Sequence, residues 1–168
     1  MKRSFGYLFL FVLTAGFAWA KPQIQIEFKF LELDEADYDV VKEELLATRL
    51  PGDFEGLNRS QVPAGFWKKV ETFPGAEILS APRITALENT QAEISIGDFL
   101  STKVTCQKKA KGIGVDMDVN LETWKRRLVT SVTLPEGVQA MVGSLSNSQG
   151  RRVLVLCQVS GVDAKSGN

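Results

Sequence analysis

The stretch Ala76–Asp98, AEILSAPRITALENTQAEISIGD, carries the pattern from which the rest of the chain is read. Ile78 and Leu79 lead into Ser80-Ala81-Pro82, where Pro82 cannot donate a ladder hydrogen bond and biases Ala81 towards an extended conformation. Arg83 to Leu87 is a second short extended run, and Glu88-Asn89-Thr90 has turn chemistry. Ala92, Ile94 and Ile96 then alternate with Glu93 and Ser95 until Gly97 stops the strand. The reading is strand, tight corner, strand, turn, strand, a β-hairpin with an exposed asparagine turn and one apolar face.

Working outward from it, the pattern before the hairpin is a strand and two helices. Ile24, Ile26, Phe28 and Phe30 alternate with Gln25, Glu27 and Lys29, and the parity then flips to Leu31 and Leu33, which predicts a β-bulge near Phe30-Leu31. Asp34 is placed to cap a helix whose buried stripe is Tyr38, Val41, Leu45 and Leu46, stopped by Leu50-Pro51-Gly52. A polar loop, Asp53 to Pro63, follows; its Asn58-Arg59-Ser60 triplet fits a glycosylation sequon but reads as plain loop. A second short helix spans Phe66 to Thr72 and ends at Pro74-Gly75.

Beyond Gly97 the chain continues as strands. Leu100 to Cys106 is followed by a basic turn, Lys108 to Gly112, whose Gly112 and Gly114 lack the remaining elements of a phosphate loop. Val115, Met117, Val119 and Leu121 alternate against Asp116, Asp118, Asn120 and Glu122. A calcium loop fails there, because its sixth position would be Leu121 and its twelfth Arg127, so these polar groups read as a solvated strand face. Leu128, Thr130, Val132 and Leu134 are expected to pair with Val138, Ala140 and Val142 in a second hairpin across Pro135-Glu136-Gly137. Val153 to Val159 is apolar on both faces, which suits a central, buried strand.

Composition narrows the function. The chain has 168 residues, 44% of them apolar, which is room and core for one ordinary domain. Lys and Arg number 20 against 20 Asp and Glu, without the basic excess of a nucleic-acid binder. The absence of histidine excludes the usual serine–histidine and cysteine–histidine systems and most zinc sites. No catalytic, cofactor-binding or metal-ligating residue is expected, and no enzyme. Cys106 and Cys157 are either a disulfide or two small buried hydrophobes, and only their separation in space decides between these.

The N-terminal residues 1–20 have the anatomy of a cleaved signal peptide. Lys2 and Arg3 precede an apolar run around Leu8 to Val12, and Ala18-Trp19-Ala20 supplies the small-x-small cleavage pattern. The expected organisation is a signal peptide over 1–20, one domain over 21–162 and a flexible tail over 163–168.

The stretch quoted first also resembles the signature of the secretin family, the ring-forming outer-membrane channels of bacterial type II and III secretion and type IV pili. The matching residues are Leu79, Ser80, Pro82, Arg83, Asn89, Ala92, Glu93, Ile94 and Gly97, in the family's order. Thr130 to Leu145 is similar to a second family segment, a threonine-rich strand and a turn ending in Gly137, closed here by Gly143-Ser144-Leu145 without the second glycine. Between the two, channel-forming members carry a substantial segment with membrane-spanning strands, where this chain has only Asp98 to Val129. The resemblance implies an α+β domain, mostly antiparallel sheet with two short helices, like the secretin core domain without its membrane-spanning hairpins. It implies export to the periplasm or outer membrane of a Gram-negative-type bacterium. There the chain would be a homo-oligomer or a partner of secretion or pilus envelope components, with membrane association left open. The alternative is a soluble monomeric periplasmic binding or scaffold domain with no channel role.

Overall fold

A strand of twelve residues, β1 (Gln23–Asp34), lies at the centre of the architecture in the computed structural model, which describes residues 22–47 and 61–162. The segment 1–20, the tail 163–168, the Leu50-Pro51-Gly52 helix stop and the Asn58-Arg59-Ser60 triplet lie outside the described residues. Along β1 the even residues Ile24, Ile26, Phe28 and Phe30 and the odd residues Leu31 and Leu33 are all buried. Two different cores take them: the even set packs in the larger apolar cluster, the odd pair in a smaller one with the helices.

That division corrects the bulge expected in β1. Against its neighbour β9 (Arg151–Val162), β1 runs in unbroken antiparallel register from Gln23↔Val162 to Asp34↔Arg151. The register break at Phe30–Leu31 is present, but in the ladder with β2 (Glu77–Ser80), where Phe30 opposes Ser80 and Leu31 opposes Ile78. The extra residue is therefore Leu79, on β2. The parity flip in β1 records a change in which face is covered, with the pleat itself uninterrupted.

Helix α1 (Glu35–Ala47) begins as expected, with the Asp34 carboxylate accepting a hydrogen bond from the Asp37 amide at 2.8 Å. Its Tyr38, Val41 and Leu45 join Phe66 and Val70 of α2 (Phe66–Val70) over Leu31, Leu33, Leu154 and Leu156.

Nine strands form two antiparallel sheets among the described residues. The first has five strands: β2 and β3 (Arg83–Leu87) along one side of β1, then β9, then β8 (Gln139–Ser146). The second is the ordered meander of β4 (Gln91–Ile96), β5 (Leu100–Lys109), β6 (Gly112–Leu121) and β7 (Arg126–Leu134). The inner faces of both sheets contribute to the larger core, which holds Phe28, Val104, Val115, Leu134 and Val155 among others. The layers are therefore helices, five-stranded sheet, four-stranded sheet, an α+β architecture with mostly antiparallel strands. Val153 to Cys157 are fully buried because β9 is central in the sheet that has a core on each face.

Both expected hairpins are corrected. β3 pairs with β1, while β4 pairs with β5, so the Glu88-Asn89-Thr90 turn carries the chain from one sheet to the other. The Leu128–Leu134 strand pairs with β6 and the Val138–Val142 region with β9, so Pro135-Glu136-Gly137 is a second crossover. The corner expected at Ser80-Ala81-Pro82 is not a reversal either. β2 and β3 follow the same side of β1 as one interrupted line, and the Phe28 amide donates to the Pro82 carbonyl at 2.9 Å across the interruption.

Candidate functional site

The two stretches singled out in the sequence form opposite rims of the sandwich. Residues 77–96 supply the outer strands β2 and β3 of the first sheet and β4 of the second. Residues 126–146 supply the other outer strands, β7 and β8. Each rim thus presents one free strand edge from each sheet, joined by a crossover.

Turn chemistry fixes both crossovers. Asn89 sits at φ 57°, in the left-handed region that asparagine tolerates, and its amide donates to the Cys106 carbonyl of β5 at 2.7 Å. Gly137, at φ 75°, donates its amide to the Val159 carbonyl of β9 at 2.8 Å. Each crossover is therefore pinned to an inner strand. Gly143 has a different reason to be glycine: a Cβ there would come within 2.5 Å of the Leu128 side chain, which closes β7 onto β8. Gly97, at φ 51°, turns the chain from β4 into β5 in open space.

The remaining motif residues line the first rim. Leu79 and Ser80 are half-buried, and Pro82 is buried. Arg83 is exposed and pairs with Glu27 of β1 at 2.7 Å, an ion pair of the weakly stabilising surface kind. This rim borders an apolar groove between α2 and β2, lined by Leu31, Trp67, Val70, Phe73, Ala76 and Ile78. Ile78 is half exposed there, and the Lys29 ammonium lies 4.1 Å from the centre of the Trp67 ring. The Trp67 indole donates to the Gln139 side chain at 2.9 Å, tying α2 to β8. Helical periodicity marked Trp67 only as an apolar helix residue. Its groove is assembled from segments distant in sequence, and no local pattern signals that.

The second rim is less open. The Val62 amide donates to the Gln139 carbonyl at 2.8 Å, and Gln61 bridges to Ala140, so the 61–62 segment covers part of the β8 edge.

Cys106 and Cys157 are both free, fully buried thiols in the sandwich core. Burial, with a smaller contribution from Asp116, pushes the Cys106 thiol up to about 12. Burial raises Cys157 as well, with Cys106 a smaller influence. Both are small core hydrophobes, and neither is a nucleophile at neutral pH.

The carboxylates of β6 lie on the outer face of the second sheet. Asp116 accepts a hydrogen bond from the Ser131 hydroxyl, and Asp118 is held by Arg127 in two parallel bonds of 2.7 Å. That hydrogen-bonded guanidinium holds the Asp118 carboxyl below its ordinary range. Glu122 accepts from the Asn120 amide. Among the described residues, no three metal-ligating side chains converge.

No family model matches the chain, and no curated protein matches it.

Proposed function

We propose that the chain is a secretin-like exported envelope component, a non-enzymatic module that self-associates or docks on secretion or pilus machinery through strand edges. One observation carries this reading: the two stretches that resemble the family are the two rims, with unpaired strand edges from both sheets. Unpaired edges template further strands, and pockets beside them select side chains. The apolar groove beside β2 offers such a pocket.

A second reading, a soluble monomeric periplasmic scaffold or binding domain, draws support from how the edges are blunted. The β2–β3 line is interrupted at Pro82, β4 carries the Glu93–Lys103 pair at 3.9 Å, and β8 is partly covered.

The deciding experiment is light scattering on residues 21–168, in buffer and after extraction from membranes in mild detergent. A large discrete oligomer in the membrane fraction supports assembly. A monomer in buffer, absent from membranes, supports the second reading. A mature protein found in the cytoplasm would sink both.

A further inference from the structure

The two rims are unequal, and the inequality decides how copies of this chain can associate. The second rim is closed on itself. There the Arg126 guanidinium of β7 donates to the Ser146 carbonyl of β8 at 2.9 Å, and Leu128 packs into the space left by Gly143. The 61–62 segment covers part of the remaining β8 edge. On the first rim, β4 turns Gln91, Glu93 and Ser95 outward, the polar kind of edge that resists further pairing. That leaves β2, where the exposed Ile78 stands on a free edge beside the apolar groove under α2.

A ring or a filament needs two different complementary surfaces on each copy, whereas a two-fold dimer needs one surface that fits itself. Resting on the self-associating form of the function proposed above, we propose that two copies of this chain join through β2 in a closed two-fold dimer, and that assembly stops there.

The β2 surface is complementary to itself in polarity and in charge. Antiparallel pairing centred on Ile78 sets it opposite the partner's Ile78. Glu77 then lies opposite the partner's Leu79, whereas pairing centred on Glu77 would oppose two carboxylates directly. Leu31 is already the cross-strand neighbour of Ile78, so the dimer extends that row to four apolar side chains, Leu31 and Ile78 from each copy. The two charged residues lining the groove differ in sign. Lys29 stands beside Trp67, 4.1 Å from the ring centre. Glu71 follows one helical turn later, its amide donating to the Trp67 carbonyl at 3.1 Å, on the way to Ala76 before β2. Among the described residues, neither has an ion-pair partner. A two-fold axis reverses the direction of the groove, so the Lys29 end of one copy lies towards the Glu71 end of the other.

The test is sedimentation velocity on the full mature chain, residues 21–168, in buffer and in mild detergent. A short strand pair with a small apolar patch should give a dimer Kd of roughly 1–100 μM, and no larger species. Ile78→Lys should weaken the dimer by about tenfold or more, while Val129→Lys, also exposed but on the other sheet, should leave it unchanged. Lys29→Glu and Glu71→Lys should each weaken it, and the two together should restore it. Ile78→Cys treated with a short bismaleimide should trap a two-copy product and Val129→Cys should not; Cys106 and Cys157 are fully buried and do not compete. Circular dichroism reports that each variant is folded. A discrete species larger than a dimer overturns the two-fold closure and leaves self-association standing. A chain that stays monomeric at every concentration, with and without detergent, overturns the dimer; its presence in or absence from the membrane fraction then judges the wider envelope reading separately. A dimer untouched by Ile78→Lys overturns β2 as its surface.

Discussion

The two sheets differ in how many of their faces are dry. The five-stranded sheet is covered by the second sheet on one side and by α1 and α2 on part of the other. The four-stranded sheet has one dry face and one in solvent. Their central strands show it: β9 buries every residue from Val153 to Cys157, whereas β6 buries Val115, Met117, Val119 and Leu121 and turns Asp116, Asp118 and Asn120 outward. Hydrophobic periodicity in this chain counts covered faces. Period two means one core, and an unbroken apolar run means two.

The largest test of this contrast compares Leu156, under the helices, with Val129, on the open face. Leu156→Ala should cost about 2–5 kcal/mol, through lost transfer energy and a residual cavity. Val129→Ala should stay within about 0.5 kcal/mol of the parent in chemical denaturation. Equal costs would mean that the helix layer adds no second core.

The second test removes the clamp where the layers meet. Arg151 of β9 donates to Glu32 of β1 at 2.6 Å and to the Gly75 carbonyl at 3.0 Å, holding the segment between α2 and β2. Both side chains are mostly buried. Arg151→Ala should therefore destabilise by about 1–3 kcal/mol, leaving Glu32 without its partner. Hydrogen exchange should rise first at Gly75–Ser80. Unchanged protection there would detach the clamp from the rim.

A smaller change, of opposite sign, is expected inside the sandwich. The Thr102 hydroxyl is fully buried on the inner face of β5 and has no hydrogen-bond partner among the described residues. Thr102→Val keeps the shape and removes the stranded polar group, so the melt should shift upward by about 1 kcal/mol. A loss of stability would show that the hydroxyl is satisfied in solution.

The smallest effect concerns the exposed pair Asp118–Arg127. Because the folded Asp118 carboxyl is depressed, its contribution is present above the unfolded value of 3.8 and disappears as pH falls through the folded one. A carboxyl-detected titration should find its midpoint below the ordinary carboxylate range, and Arg127→Ala should return it towards that range. An unmoved midpoint would remove Arg127 as the cause.

Much of the fold was legible in the sequence because strand and helix patterns are local. The β1 alternation, the Asp34 cap, the Tyr38–Val41–Leu45 stripe and the doubly apolar β9 all appear where their patterns put them. The partner of each rim strand was not legible. Leu87–Thr90 closes an ordinary turn, with the Thr90 amide donating to the Leu87 carbonyl at 3.0 Å, and that geometry serves a hairpin or a change of sheet equally. The choice between them lies in which strands β3 and β4 pair with, β1 for the one and β5 for the other, and neither partner is local in sequence to the turn. The outward face of the second sheet was half legible. Asp116 and Asp118 were visible as an outward face, but Gln91, Thr105 and Val129 reach them only through pairing across four strands.

The pairing of β1 with β9 also sets the order in which this protein can be completed. Its first strand waits for its last: Asp34 finds its partner at Arg151, and Gln23 at Val162. Until β9 has been made, the apolar series of β1 has only the β2–β3 line of its own sheet to shelter it. Folding of the larger sheet therefore waits for β9 and is slow by contact order. The same adjacency of ends means that a short linker could join residue 162 to residue 23. A permuted form of the described domain could then open at the Ala110-Lys111 turn without breaking a strand.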